Sequence, residues 1–269
     1  MESQRIVIPM VHVRLVDSVD GKDNYLATVP RAKLTTFSTA FDCFLSVVPV
    51  EDESERTVTL PAGSPDALRF VLERIKQQDC RQPDRLKIDV KRFPMAKQAR
   101  IFEACAILHV NKDILIKVNR HIAYEITRSG QLTPLDMQEV HHVFQHFRAG
   151  ADFQSNNWTT MIHQYCWDLL HDKYSDEAKK SFEETLERLG NDELTTAVSV
   201  KLEELRRGKQ LHNRRQAGNE ARAAARATKQ AKFQAAREVI DGLRPWSSEV
   251  AGYVEILRRR DQVAAQQKS

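Results

Sequence analysis

The sequence predicts an α+β protein. A small sheet flanked by helices comes first, and an all-α C-terminal region with a long basic helix follows. Three observations carry this. Val- and Ile-rich segments with two-residue alternation are concentrated before residue 60. From Ser64 onward, apolar residues recur at three- and four-residue steps behind capping signals. Between 206 and 237 the chain becomes Ala-rich and strongly basic, a composition that favours helix.

The first strand is read in "RIVIPMVHVRLV", where His12 and Arg14 alternate with Val11, Val13 and Leu15. Asp20-Gly21 supplies the turn, and "YLATV" returns as a second strand that Pro30 ends. "RAKLTTFSTAFDCFLSVV" follows as one or two short helices. Leu34, Phe37, Phe41 and Leu45 share one face there. A third strand is expected at 57–60, after the acidic "EDESER". Ser64 and Pro65 then form a helix start, and Leu68, Val71, Leu72 and Ile75 make the apolar stripe of that helix. "LKIDV" at 86–90 reads as a further short strand. Helices are expected from Pro94 (Ile101, Cys105 and Leu108 on one face) and at 112–128, closed by Ser129-Gly130. Thr133-Pro134, Asn156 or Asn157, Ser175 and Asn191 start four more, with Gly190 ending the third. Ser248 restarts a last helix after Pro245.

The order strand, strand, helix pair, strand, helix, break, helix, helix resembles a BTB/POZ domain of the divergent, fungal type. The hallmark there is a strand, a basic residue, a Leu, then a Ser and an aromatic. Lys33, Leu34, Ser38 and Phe41 of "YLATVPRAKLTTFSTAFDCFL" are similar to it. "TVTLPAGSPDALRFVLERI" resembles the next strand and helix, and "ARIFEACAILHVNKDILIKVNRHIAYEI" the closing helical hairpin. The resemblance covers roughly 5–128. It implies a non-enzymatic protein–protein interaction module that self-associates as a homodimer or scaffolds a partner. Adaptor activity for a cullin ubiquitin ligase is an alternative it also allows. Family dimers use the first helix and the N-terminal strand, which implies Val11, Val13, Leu15, Leu34, Phe37 and Phe41 as partner-binding residues. That strand could instead extend a partner's sheet edge. The divisions expected are 5–130 for this domain, 131–205 for a helical region, and 206–269 for a basic arm and a terminal amphipathic helix.

Composition suits a folded polar-surfaced protein, with 41% hydrophobic and 29% charged residues. No apolar run is long enough to span a bilayer, and the N-terminus lacks the pattern of a secretory signal. The four cysteines, Cys43, Cys80, Cys105 and Cys166, fit no small disulfide framework. They are expected to be reduced, chiefly in the core, in a nuclear or cytoplasmic protein. A nucleophilic Cys43 is disfavoured, because Asp42 beside it would oppose a thiolate. His142-x3-His146 with His163-x2-Cys166 imitates zinc spacing. The first two of these histidines lie opposite the apolar face of their helix, so no metal is expected. Phosphate-loop, dinucleotide, zincin and serine-hydrolase motifs are all missing from the sequence. No cofactor or small-molecule substrate is therefore expected.

Charge is unevenly spread. Residues 206–237 hold ten Lys or Arg against one acid, Glu220, and 238–269 balance to zero. Subtracting that excess of nine from the total of +4 leaves the first 205 residues near −5. The paired Arg206-Arg207 and Arg214-Arg215 precede Arg222, Arg226 and Lys229, which fall at i, i+4 and i+7 on one stripe. These seven are candidate nucleic-acid contacts, since such a stripe could follow a phosphate backbone. The other readings are a nuclear localisation signal and a plain solvated helix. Phe233 is the only aromatic residue within the arm, so base stacking is not indicated.

Overall fold

The structure, a computed structural model, describes residues 8–16, 23–46, 55–81, 86–128, 131–148 and 153–266. Strand β1 (Met10–Val16) pairs antiparallel with β2 (Asp23–Pro30), Val11 opposite Val29 and Val13 opposite Ala27. An irregularity between Val13 and Arg14 shifts the register, so that Arg14 faces Tyr25. Strand β3 (Glu55–Leu60) runs parallel to β1 with His12 opposite Thr57. The order β2-β1-β3 places β1 in the middle, bonded on both sides. It has no open edge to offer a partner's sheet, which corrects that expectation. The Asp20-Gly21 turn and Ser129-Gly130 lie outside the described residues.

Period-two alternation sends Val11, Val13 and Leu15 to the covered face of the sheet, where Leu26 and Val29 join them. Helix α1 (Arg31–Phe37) begins directly after Pro30. Helix α2 (Thr39–Ser46) follows after a single extended residue, Ser38. Across both helices Leu34, Phe37, Phe41 and Leu45 keep one buried face. Burial of each such side chain stabilises the fold by about 1.5–3 kcal/mol.

Helix α3 (Pro65–Gln77) has Ser64 in the N-cap position with extended backbone but no side-chain capping bond. Its stripe Leu68, Val71, Leu72 and Ile75 is fully buried. Residues 86–90, expected as a strand, carry no sheet pairing. Leu86 and Val90 are buried and Lys87 and Asp89 are not, so the alternation is present without a neighbouring strand. A side-chain pattern of period two needs only one apolar wall, whereas a strand also needs a ladder of partners.

Helix α4 (Met95–Ile107) is the central element, packing on α3, on α5 (Lys112–Arg128) and on α6 (Pro134–Phe144). A 3-10 turn, Gln145–Phe147, extends α6. Helix α7 (Asn157–Leu170) packs on α5 and α6, and α8 (Asp176–Leu189) packs on α6. Ser175 caps α8 by accepting from the Ala178 amide, and Gly190 ends it in the left-handed region (φ 55°). Helix α9 (Asp192–Ile240) starts where the Asn191 side-chain oxygen accepts from the Leu194 amide. Ser247 caps a short 3-10 turn before α10 (Ala251–Gln266).

Two compact units result, Met1–Glu203 and Glu204–Ser269. The division expected near 130 does not separate compact units, because the helices after it pack directly on α4 and α5. Two polar joints fasten this contact. The Asp136 carboxylate accepts from the Ala96 amide at the start of α4 (3.0 Å) while capping its own helix with Thr133. Buried Ser155 and Asn157 both donate to Asn119 of α5, at 2.6 and 3.0 Å.

Candidate functional site

The six residues implied as partner-binding, Val11, Val13, Leu15, Leu34, Phe37 and Phe41, are all 4% exposed or less. They fill the chain's own core and present no surface to a partner, which corrects that expectation. The same periodicity that marks a contact face also marks an ordinary core face. The outward neighbours on these elements are Val16, Tyr25 and Phe44, with Phe44 57% exposed on α2. They are separate side chains on different elements.

Ser38 acquires its role from the break between α1 and α2. It is buried, and its hydroxyl donates to the Leu108 carbonyl and accepts from the Phe41 amide at 3.2 Å. Its backbone bridges to Val110, beyond left-handed His109 (φ 46°). Ser38 therefore pins the first helix pair to the corner between α4 and α5. Lys33 donates to the Lys76 carbonyl at the end of α3, satisfying a helix C-terminal acceptor.

Cys43 is exposed and Cys80 half-buried, so neither belongs to the core. Cys105 and Cys166 are buried, and desolvation pushes their thiols up to about 12 and about 11. Such groups stay protonated and unreactive at neutral pH. His142, His146 and His163 are not buried while Cys166 is fully so, and the four do not converge. Among the described residues no three His, Cys, Asp or Glu side chains are placed to hold a metal ion. No described helix is long and apolar enough to cross a membrane.

One cluster escaped the sequence reading. Trp158, 4% exposed on α7, donates its indole N–H to Nδ1 of buried His141 on α6 (3.0 Å). The Arg148 guanidinium covers the indole face at 4.2 Å and pairs with Glu193 at 2.5 Å. An open depression beside it, lined by Ala197 and Val200 of α9, measures about 510 Å³. No spacing in the sequence marks the cluster, since its members come from three helices and the turn after α6. Burial lowers the His141 pKa, and His142 and Arg148 nearby lower it further. The unfolded imidazole takes up its proton near pH 6.5, and the folded one resists to lower pH. Below about pH 6.5 the unfolded state thus binds more protons, and stability falls as pH falls. The melting temperature should drop between about pH 7 and pH 5, and His141→Gln, which keeps an acceptor for Trp158, should flatten that slope. An unchanged slope would remove His141 from the account.

The basic arm lies wholly on the second unit. Every residue from 206 to 232 is exposed, including Arg206, Arg207, Arg214, Arg215, Arg222, Arg226 and Lys229. At 1.5 Å per residue this stretch of α9 is about 40 Å long. Its acid, Glu220, accepts a bond from Gln216. Lys229 lies 5.9 Å from the ring of half-buried Phe233, which itself packs edge-on against Tyr253 at 4.9 Å. That aromatic ring is occupied by its own hairpin. The arm offers cations at helical spacing and no stacking platform.

Comparison with protein-family models, with curated proteins and with solved structures finds no match.

Proposed function

We propose that the chain is a non-enzymatic interaction protein of the nucleus or cytoplasm, with a BTB/POZ-like first unit, that self-associates or scaffolds a protein partner. The element order supports this reading. A β-hairpin is followed by a helix pair broken at buried Ser38, and a third strand lies parallel to the first; α3 and the α4–α5 pair come next. This is the order in which the sequence resembles the family. The first unit's contacts with a partner must be made by outward side chains such as Phe44 and Tyr25, since the stripe behind them is buried. Light scattering of the full chain at micromolar concentration, with affinity capture from cells, tests the reading. A mass of twice 30.9 kDa, or a stoichiometric protein partner, is the expected result. A 30.9 kDa monomer that captures nothing would defeat it.

Nucleic-acid association through the arm is a second reading, favoured by the unbroken exposure of 206–232. A gel shift with a steep salt slope is its expected signature. Changing Arg214, Arg215, Arg222 and Arg226 together to Gln in the full chain should shallow that slope by about 0.9 per lost duplex phosphate contact. Absence of a shift at low salt would dispose of it.

A further inference from the structure

Beyond the basic stretch, the second unit folds back on itself. The end of α9 and α10 form a helical hairpin whose buried apolar core is Ala236, Val250 and Val254. Ala235, Val239, Ile240, Tyr253 and Leu257 pack against that core only partly buried. The packed segment runs from about Phe233 to the end of α10, fewer than about 40 residues. Segments of that size rarely hold a fold without a disulfide, a metal or association with another chain. Residues 204–269 contain no cysteine, and no metal-holding group is found among the described residues. A single layer of two helices buries one seam and leaves its flank open, and the half-buried row is that flank.

We propose that this flank is covered by the same hairpin of a second copy, the two forming a four-helix bundle. Self-association is the reading this deepens and on which it rests, with the contact placed in the second unit. Charge favours a like copy. The arm at 206–237 carries an excess of nine positive charges and would repel its twin, whereas 238–269 hold five cations and five acids. Opposite charges on the hairpin are paired, Arg237 with Asp241 and Asp261, and Arg259 with Glu255. A neutral, mixed surface around an apolar row meets no like-charge penalty when placed against itself. Antiparallel hairpins of this kind pair at shallow angles around a shared core.

The test is mass by light scattering on the full chain and two variants. The wild type and Phe44→Glu, on α2 of the first unit, should both weigh twice 30.9 kDa, while Leu257→Glu should halve. A wild-type monomer would overturn this inference together with the self-association reading. A dimer that survives Leu257→Glu overturns the inference alone and leaves self-association standing. Because Leu257→Glu could also loosen the hairpin itself, hydrogen exchange of the unaltered chain gives a second measure. Amide protection across 236–257 should fall about tenfold on dilution below the dimer's dissociation constant, while protection in α4 stays constant. Protection of 236–257 that ignores concentration overturns the proposal.

Discussion

Phe102→Ala is expected to destabilise the first unit by about 3–5 kcal/mol, the upper end of what removing one core side chain costs. Phe102 is fully buried on α4. Its ring stacks on Phe144 (4.7 Å between centroids, 28° between planes) and meets Phe147 edge-on at 5.1 Å and Phe153 at 5.6 Å. Truncation removes the transfer energy of the ring and leaves a cavity that the surrounding helices fill only in part. Each lost aromatic pair adds about 0.5–1.5 kcal/mol beyond area alone. Because Phe144 and Phe147 belong to the region after residue 130 while Phe102 precedes it, one cooperative transition should move to lower urea as a whole. Two separate transitions, or a loss below about 1.5 kcal/mol, would show that α4 and α6 do not share a core.

Asp136→Ala is expected to lower stability by about 2–4 kcal/mol, large for a single capping residue. The carboxylate accepts from the Thr133 amide (3.1 Å) and hydroxyl (2.7 Å), while the Thr133 hydroxyl accepts from the Asp136 amide (3.1 Å). Loss of such a cap costs about 0.5–2 kcal/mol. The other carboxylate oxygen accepts from the buried Ala96 amide, which would be left without a partner at a cost of about 1–3 kcal/mol. Asp136→Asn keeps one oxygen acceptor and should recover roughly half of the loss. Denaturant unfolding gives the magnitude, and faster exchange of the Ala96 amide identifies the mechanism. An unchanged Ala96 exchange rate would refute the double cap.

Sequence legibility follows range. The stripe of Leu34, Phe37, Phe41 and Leu45, the β1–β2 pairing and the helix starts at Pro65, Pro134 and Ser175 are local patterns, and each is found in place. What the stripe faces is not local. The same residues read equally as core or as contact surface until the sheet, α3 and the corner at Leu108 close over them. Cys43 shows the converse: between Phe41 and Leu45 in sequence, it points outward with Asp42 and Phe44. The segment 86–90 alternates like a strand and has no ladder, because pairing depends on a neighbour the segment itself does not encode. Asp136 is partly legible, since Thr-Pro-x-Asp is a capping pattern. Its second bond, to an amide forty residues earlier, is not. The Trp158–His141–Arg148 cluster is hidden for the same reason.

The bare stretch of α9 has a chemical corollary. Its backbone is held by helical hydrogen bonds without a covering layer, so each peptide opens at the cost of a local helix–coil step. Lys and Arg recur throughout it, and each marks a bond that trypsin-like proteases cut. Wherever such an enzyme reaches the protein, the two units would be severed before either is digested, and the cationic segment would be shredded first. The lifetime of the intact polypeptide is thereby set by whatever occupies that helix and shields it.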